Sequence, residues 1–168
     1  LRRTLGADVV PRGRGDELCV RAGALWCDAI EFERALDEDR PADALGLYRG
    51  PLLPGLHVTD ASPELEEWLE AERAHLARRW THAVERVATE REERGDASGA
   101  AVWWRQLAAH DRFSSRIALR LMRALAATGD PAEAIRHARA HEQLLREELG
   151  AAPDSRIGAF VRSLRATS

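Results

Sequence analysis

Gly95-Asp96-Ala97-Ser98-Gly99-Ala100, running on to Trp104, and Gly129-Asp130-Pro131-Ala132-Glu133-Ala134 are the two stretches on which the fold turns. The Gly-Asp pairs lie 34 residues apart, and so do Ala100 and Ala134. Each part has a mechanical reason. Glycine accepts the left-handed conformation that ends a helix, and aspartate caps the next one by accepting a backbone N–H. A small residue five positions after the glycine lets two helices approach closely, and an aromatic four further on fills the gap to the next hairpin. Trp104 supplies that aromatic in the first copy, whereas Ala138 stands there in the second.

A 34-residue period of helical hairpins resembles the tetratricopeptide repeat. Pro41-Ala42-Asp43-Ala44 with Tyr48 reads as a degenerate earlier copy, displaced because a loop over residues 50–62 intervenes. The predicted fold is therefore all-α, a superhelix of tetratricopeptide-like hairpins.

Working outward, the helix boundaries are well punctuated. Asp28 and Glu31 have the spacing of a capping box and predict a helix to about Asp37. Pro41 opens a second, to about Tyr48; Gly50-Pro51-Leu52-Leu53-Pro54-Gly55 cannot continue it. From Ser62-Pro63 a long helix reaches about Arg94, with Leu65, Leu69, Leu76, Trp80, Ala83, Val84, Val87 and Ala88 on one stripe. Unbroken it would span roughly 45–50 Å, so a kink or break near Trp80 is anticipated. Further helices are expected over about 97–109, 115–128 and 131–149, and a last short one from Ser155 to about Leu164.

Only the start of the chain is patterned otherwise. Val9-Val10 and Leu18-Cys19-Val20 flank a Gly- and Arg-rich turn, which predicts a short β-hairpin.

Composition narrows the function. The 168 residues are 45% apolar and 32% charged, which suits one globular domain with a small appendage. No apolar run approaches the ~18 residues of a membrane span, and no partnership with a membrane is expected. All 25 basic residues are arginine. Residues 1–21 carry five Arg against three acids, and residues 22–168 carry 20 Arg against 25 acids. The bulk of the chain is thus a poor nucleic-acid surface. Cys19 and Cys27 fit neither a disulfide framework nor a metal pair, pointing to a reducing, cytoplasmic setting.

Catalytic chemistry is not announced. His137 and His141 share a helical face, as do His75 and His82, but no third ligand accompanies either pair, so both read as half-exposed surface histidines. The carboxylates fall in runs such as Glu90-Arg91-Glu92-Glu93-Arg94, interspersed with arginine as solvated faces are. No enzyme activity, metal or cofactor is expected. Of the five tryptophans, Trp80 and Trp104 read as core, Trp26 as a staple onto the first helix and Trp68 as a cover for the Leu52-Leu53 loop. Trp103 is the candidate for protein interaction, because its helix face has no evident internal partner.

Four ordered motifs resemble the bacterial transcriptional activator domain of SARP-type regulators. They are Leu45-x-Leu-Tyr-Arg-Gly-Pro-Leu-Leu-Pro-Gly55; Glu67-Trp68 with Glu72-Arg73; Leu121-Met122-x-Ala-Leu-Ala-Ala127 with Gly129-Asp130; and Leu145-Arg-Glu-Glu-Leu-Gly150 before Pro153. The resemblance implies that residues 22–168 form this domain, and that residues 1–21 are the end of a preceding winged helix-turn-helix. Leu1 to Gly6 would be the end of its recognition helix, and Val9 to Val20 its wing. Arg2, Arg3, Arg12 and Arg14 would then approach DNA in the parent protein, with DNA held only through the missing winged-helix domain. It further implies protein partners, either RNA polymerase or a second copy in a homodimer. The competing expectation is a stand-alone tetratricopeptide-like adaptor that grips a protein or peptide without DNA.

Overall fold

The computed structural model describes residue 6 and residues 9–10, 19–21, 23–56 and 62–167. Seven helices are formed among them: α1 (Asp28–Asp37), α2 (Pro41–Leu47), α3 (Pro63–Glu93), α4 (Ala97–His110), α5 (Ser115–Ala127), α6 (Pro131–Leu149) and α7 (Ser155–Thr167). The chain divides into two compact units, Leu1–Leu76 and Ala77–Ser168.

In the first unit α1 packs on α2. Phe32 and Ala35 of α1 and Ala44 and Leu45 of α2 form its core, with the Tyr48 ring 5.4 Å from that of Phe32. The turn between the helices shows why the earlier repeat copy is hard to see. Asp39 takes the left-handed conformation (φ 59°), and the Arg40 N–H reaches back to the Ala35 carbonyl at 2.8 Å. Ala44 and Tyr48 stand five and nine residues after Asp39, as Ala100 and Trp104 stand after Gly95. Asp39 thus occupies the glycine position of a third copy.

In the second unit α4 packs on α5, α5 on α6, and α7 against both α5 and α6. The short connections make neighbours run in opposite directions. Both Gly-Asp turns are built alike. Gly95 and Gly129 have φ of 75° and 86°. The N–H groups of Asp96 and Asp130 bond the carbonyls five residues back, Arg91 and Leu125. The two carboxylates cap the following helices through the Gly99 and Glu133 N–H groups, each at 2.8 Å. Ala100 and Ala134 are fully buried at the crossings, and Trp104 fills the adjoining gap.

A Cβ on Gly129 would meet nothing within 4 Å, so only its backbone conformation matters. Gly129→Ala is expected to cost about 1 kcal/mol, from the left-handed penalty on an L-residue. Urea denaturation checks this.

Several expectations are corrected. Val9 and Val10 lie in a turn and bend, and Cys19, Val20 and Arg21 are irregular. One backbone bond, Arg21 N–H to the Val9 carbonyl at 2.9 Å, joins these ends. Among the described residues there is no strand, and the β-hairpin is not formed there; apolar stretches of two and three residues give too little surface to hold an isolated ladder. Arg2, Arg3, Arg12 and Arg14 lie outside the described residues. α3 is assigned as helix through Trp80 without a break. Leu65 leaves the apolar stripe and is exposed, one turn before the buried Leu69.

The capping box at Asp28 does not close. Cys27 is the N-cap without a side-chain bond, and Glu31 pairs with Arg34 instead. That start also disarms the expected staple. The fourth helical residue, where a staple needs an apolar partner, is Glu31, and Trp26 is left 72% exposed. Trp68 is exposed too, because Arg73 holds the loop by donating from Nε to the Leu52 carbonyl (2.9 Å) and from Nη2 to that of Leu53 (2.8 Å).

Candidate protein-docking groove

The hairpin register leaves a groove between α4 and α6, floored by α5. Ala108 and Ala109 come from α4, Leu121 and Leu125 from α5 and Ala140 from α6; the cavity measures about 470 Å³. The small α4 and α6 residues keep the walls low, which is why the α5 leucines can form a floor. Polar groups stand along the walls: Arg105, Glu133, Arg136 and His137. Arg105 and Glu133 pair at 2.9 Å, whereas Arg136 reaches Asp130 only at 3.9 Å.

His137 is the anomaly of this groove. Its Nε2 is buried and has no hydrogen-bond partner. A buried unpaired ring nitrogen costs about 1–3 kcal/mol. Burial pushes the His137 pKa down, and His141 and Arg105 add to the effect.

His141, one turn on, is buried rather than half-exposed. Its Nε2 lies 3.0 Å from the Ser115 hydroxyl, which also receives the Asp154 N–H at 3.5 Å. Burial lowers its pKa as well, while a hydrogen bond to the Arg112 backbone opposes the shift. His141 faces the start of α5 and the α6–α7 connection, which cover it. His75, by contrast, sits half-exposed against Glu33 at 2.7 Å, and His82 is exposed.

Both depressed histidines have the same consequence for stability. Below their ordinary pKa of 6.5 the unfolded chain takes up protons that the folded chain resists, so stability falls as pH drops through that value. Thermal unfolding is expected at a lower temperature at pH about 5.5 than at about 7.5, and His141→Gln should flatten that slope.

The structure does not bring the predicted interaction residue into this groove. Trp103 is half-buried and lies off the lining, while Trp104 is buried. Gly95 and Gly129 sit at turns, Ala44, Ala100 and Ala134 are buried, and Tyr48 lines a separate cavity beside Phe32 and Leu47. Sequence alone gives Arg105 and Arg136 no role and reads His137 as a half-exposed surface histidine; the signal that joins them is the repeat, which sets α4 and α6 on either side of α5.

Residues 17–165 match the family described as bacterial transcriptional activator domain. The chain belongs to that family. The match covers all seven helices but for the last residues of α7. No curated protein matches the sequence. Membership makes this a regulatory domain of transcriptional-activator type, from a family that is not enzymatic. No described helix of the activator domain is long and apolar enough to cross a membrane.

Proposed function

We propose that this activator domain is the effector of a SARP-type regulator and works by gripping another protein along the α4–α6 groove. The observation that carries the reading is the groove's make-up: an apolar floor, two arginines on the walls and a buried histidine nitrogen with no partner. Such a surface offers area and orientation but no paired acid and base for bond-making. Residues 1–21 belong, on this reading, to the end of a winged helix, with Arg2, Arg3, Arg12 and Arg14 facing DNA in the parent protein. The partner is RNA polymerase or a second copy, and the setting is the cytoplasm.

Tethering tests it. The chain is fused to an unrelated DNA-binding domain above a reporter promoter in bacteria. Transcription is expected to rise, and Arg105→Glu with Arg136→Glu should abolish the rise while leaving the helical spectrum intact. A fusion that never activates, or an unaffected double variant, contradicts the reading.

A further inference from the structure

A cavity of about 280 Å³ lies wholly within the first unit. Phe32 of α1, Leu47 and Tyr48 at the end of α2, Leu52 of the following loop and Leu76 of α3 give it an apolar and aromatic lining. Its loop wall is held in place. Arg73 bonds the Leu52 and Leu53 carbonyls at 2.9 and 2.8 Å, and Leu53 takes the left-handed conformation (φ 47°). A leucine is strained there, and such strain persists only where surrounding contacts enforce it. Pro51 and Pro54 line the same wall and stiffen it.

Two charged residues complete the lining, Asp28 at the start of α1 and Arg49 just after α2. Both are exposed, and they do not pair with each other. Asp28 Oδ1 accepts the neighbouring Ala29 N–H at 2.9 Å, and among the described residues Arg49 has no ion-pair partner. Opposite charges that border one small apolar cavity without meeting leave an acceptor and a donor for an occupant. An apolar acid satisfies Arg49 but sets its own charge against Asp28, and an apolar amine does the reverse. A zwitterion with a large apolar side chain matches both. The volume, just under the ~300 Å³ at which drug-sized sites begin, suits one small molecule.

We propose that this cavity binds a free α-amino acid with a large apolar side chain. The side chain lies among Phe32, Tyr48, Leu52 and Leu76, the carboxylate meets Arg49 and the ammonium meets Asp28. Arg73 is a positioning residue, acting through the loop it holds. The site lies in a different unit from the α4–α6 groove and does not depend on the effector reading.

Isothermal titration calorimetry of the purified chain with L-phenylalanine and L-leucine tests it. Saturable binding is expected, with a Kd below about 1 mM. Phenethylamine, 3-phenylpropionate and L-alanine each lack one of the three features and should bind about tenfold more weakly or worse. Arg49→Gln should weaken L-phenylalanine about tenfold and leave phenethylamine unchanged; Asp28→Asn should do the same and leave 3-phenylpropionate no weaker. Arg73→Met should weaken all of these ligands alike, since it loosens the wall and not the charges. Ala29→Leu, which fills the cavity from α1, should block binding with the helical spectrum intact. Amide shifts on adding L-phenylalanine should concentrate at residues 28–32 and 47–54. No binding of either amino acid up to about 10 mM, single-charge ligands that bind as well, or shifts confined to other residues would overturn the site. Binding without activation in the tethered assay overturns only the effector reading; activation without binding overturns only this site.

Discussion

Trp104→Ala is expected to cost about 3–5 kcal/mol of unfolding free energy, the loss typical of a large aromatic removed from a core. Trp104 is only 1% exposed and is among the largest fully buried side chains. It is tied on two sides. The indole N–H donates to Glu92 Oε1 at 2.8 Å, and the Arg120 guanidinium lies 4.9 Å from the ring centroid. Arg120 in turn bonds Glu92 Oε2 at 2.9 Å and Thr89 at 3.0 Å, so ring, carboxylate and guanidinium close a loop linking α3, α4 and α5. Truncation removes the packing and one hydrogen bond but leaves Glu92 a partner in Arg120. Trp104→Phe should therefore lose less, about 1–2 kcal/mol, since much of the apolar contact stays. Folding stability is marginal, at about 5–15 kcal/mol, so the alanine variant should be partly unfolded near physiological temperature. Urea titrations of the three proteins read the series.

Ala134→Leu should also be severe, for the opposite reason. Ala134 is fully buried where α6 crosses its neighbour, and three added carbons have no space to enter. Overpacking of this kind costs about 1–3 kcal/mol, by forcing side chains off their rotamers and helices apart. Ala132, two residues away and exposed, provides the control; its leucine variant should stay within about 0.5 kcal/mol of wild type. Comparable losses at both positions would mean that the small residue is not what sets the crossing. Ala100→Leu should behave as Ala134→Leu does, because it holds the same place in the preceding hairpin.

Much of the helix plan was legible because the chain punctuates itself. Pro131 after Asp130 and Gly150 at the far end bound α6 where the sequence predicts. Ala100, Trp104 and Ala134, picked out by spacing, are buried. What escaped depended on neighbours. Asp39 stands in for glycine at the first turn, a substitution invisible to a search for Gly-Asp but visible by counting back five residues from Ala44. Leu65 and Trp68 have the period of a buried face, yet periodicity says which side a residue is on and not whether anything covers it. The lone histidine nitrogen in the α4–α6 groove depends on which helices flank α6, so no local pattern could show it.

In the second unit consecutive hairpins pack in one register, with Trp104 as the shared wedge. The indole N–H proton of Trp104, observed by nuclear Overhauser spectroscopy, reports on that packing most directly. Cross-peaks are expected from the Trp104 ring to the Arg120 side chain, with slow solvent exchange of the indole proton held by Glu92. A rapidly exchanging indole proton with no contact to α5 would contradict it.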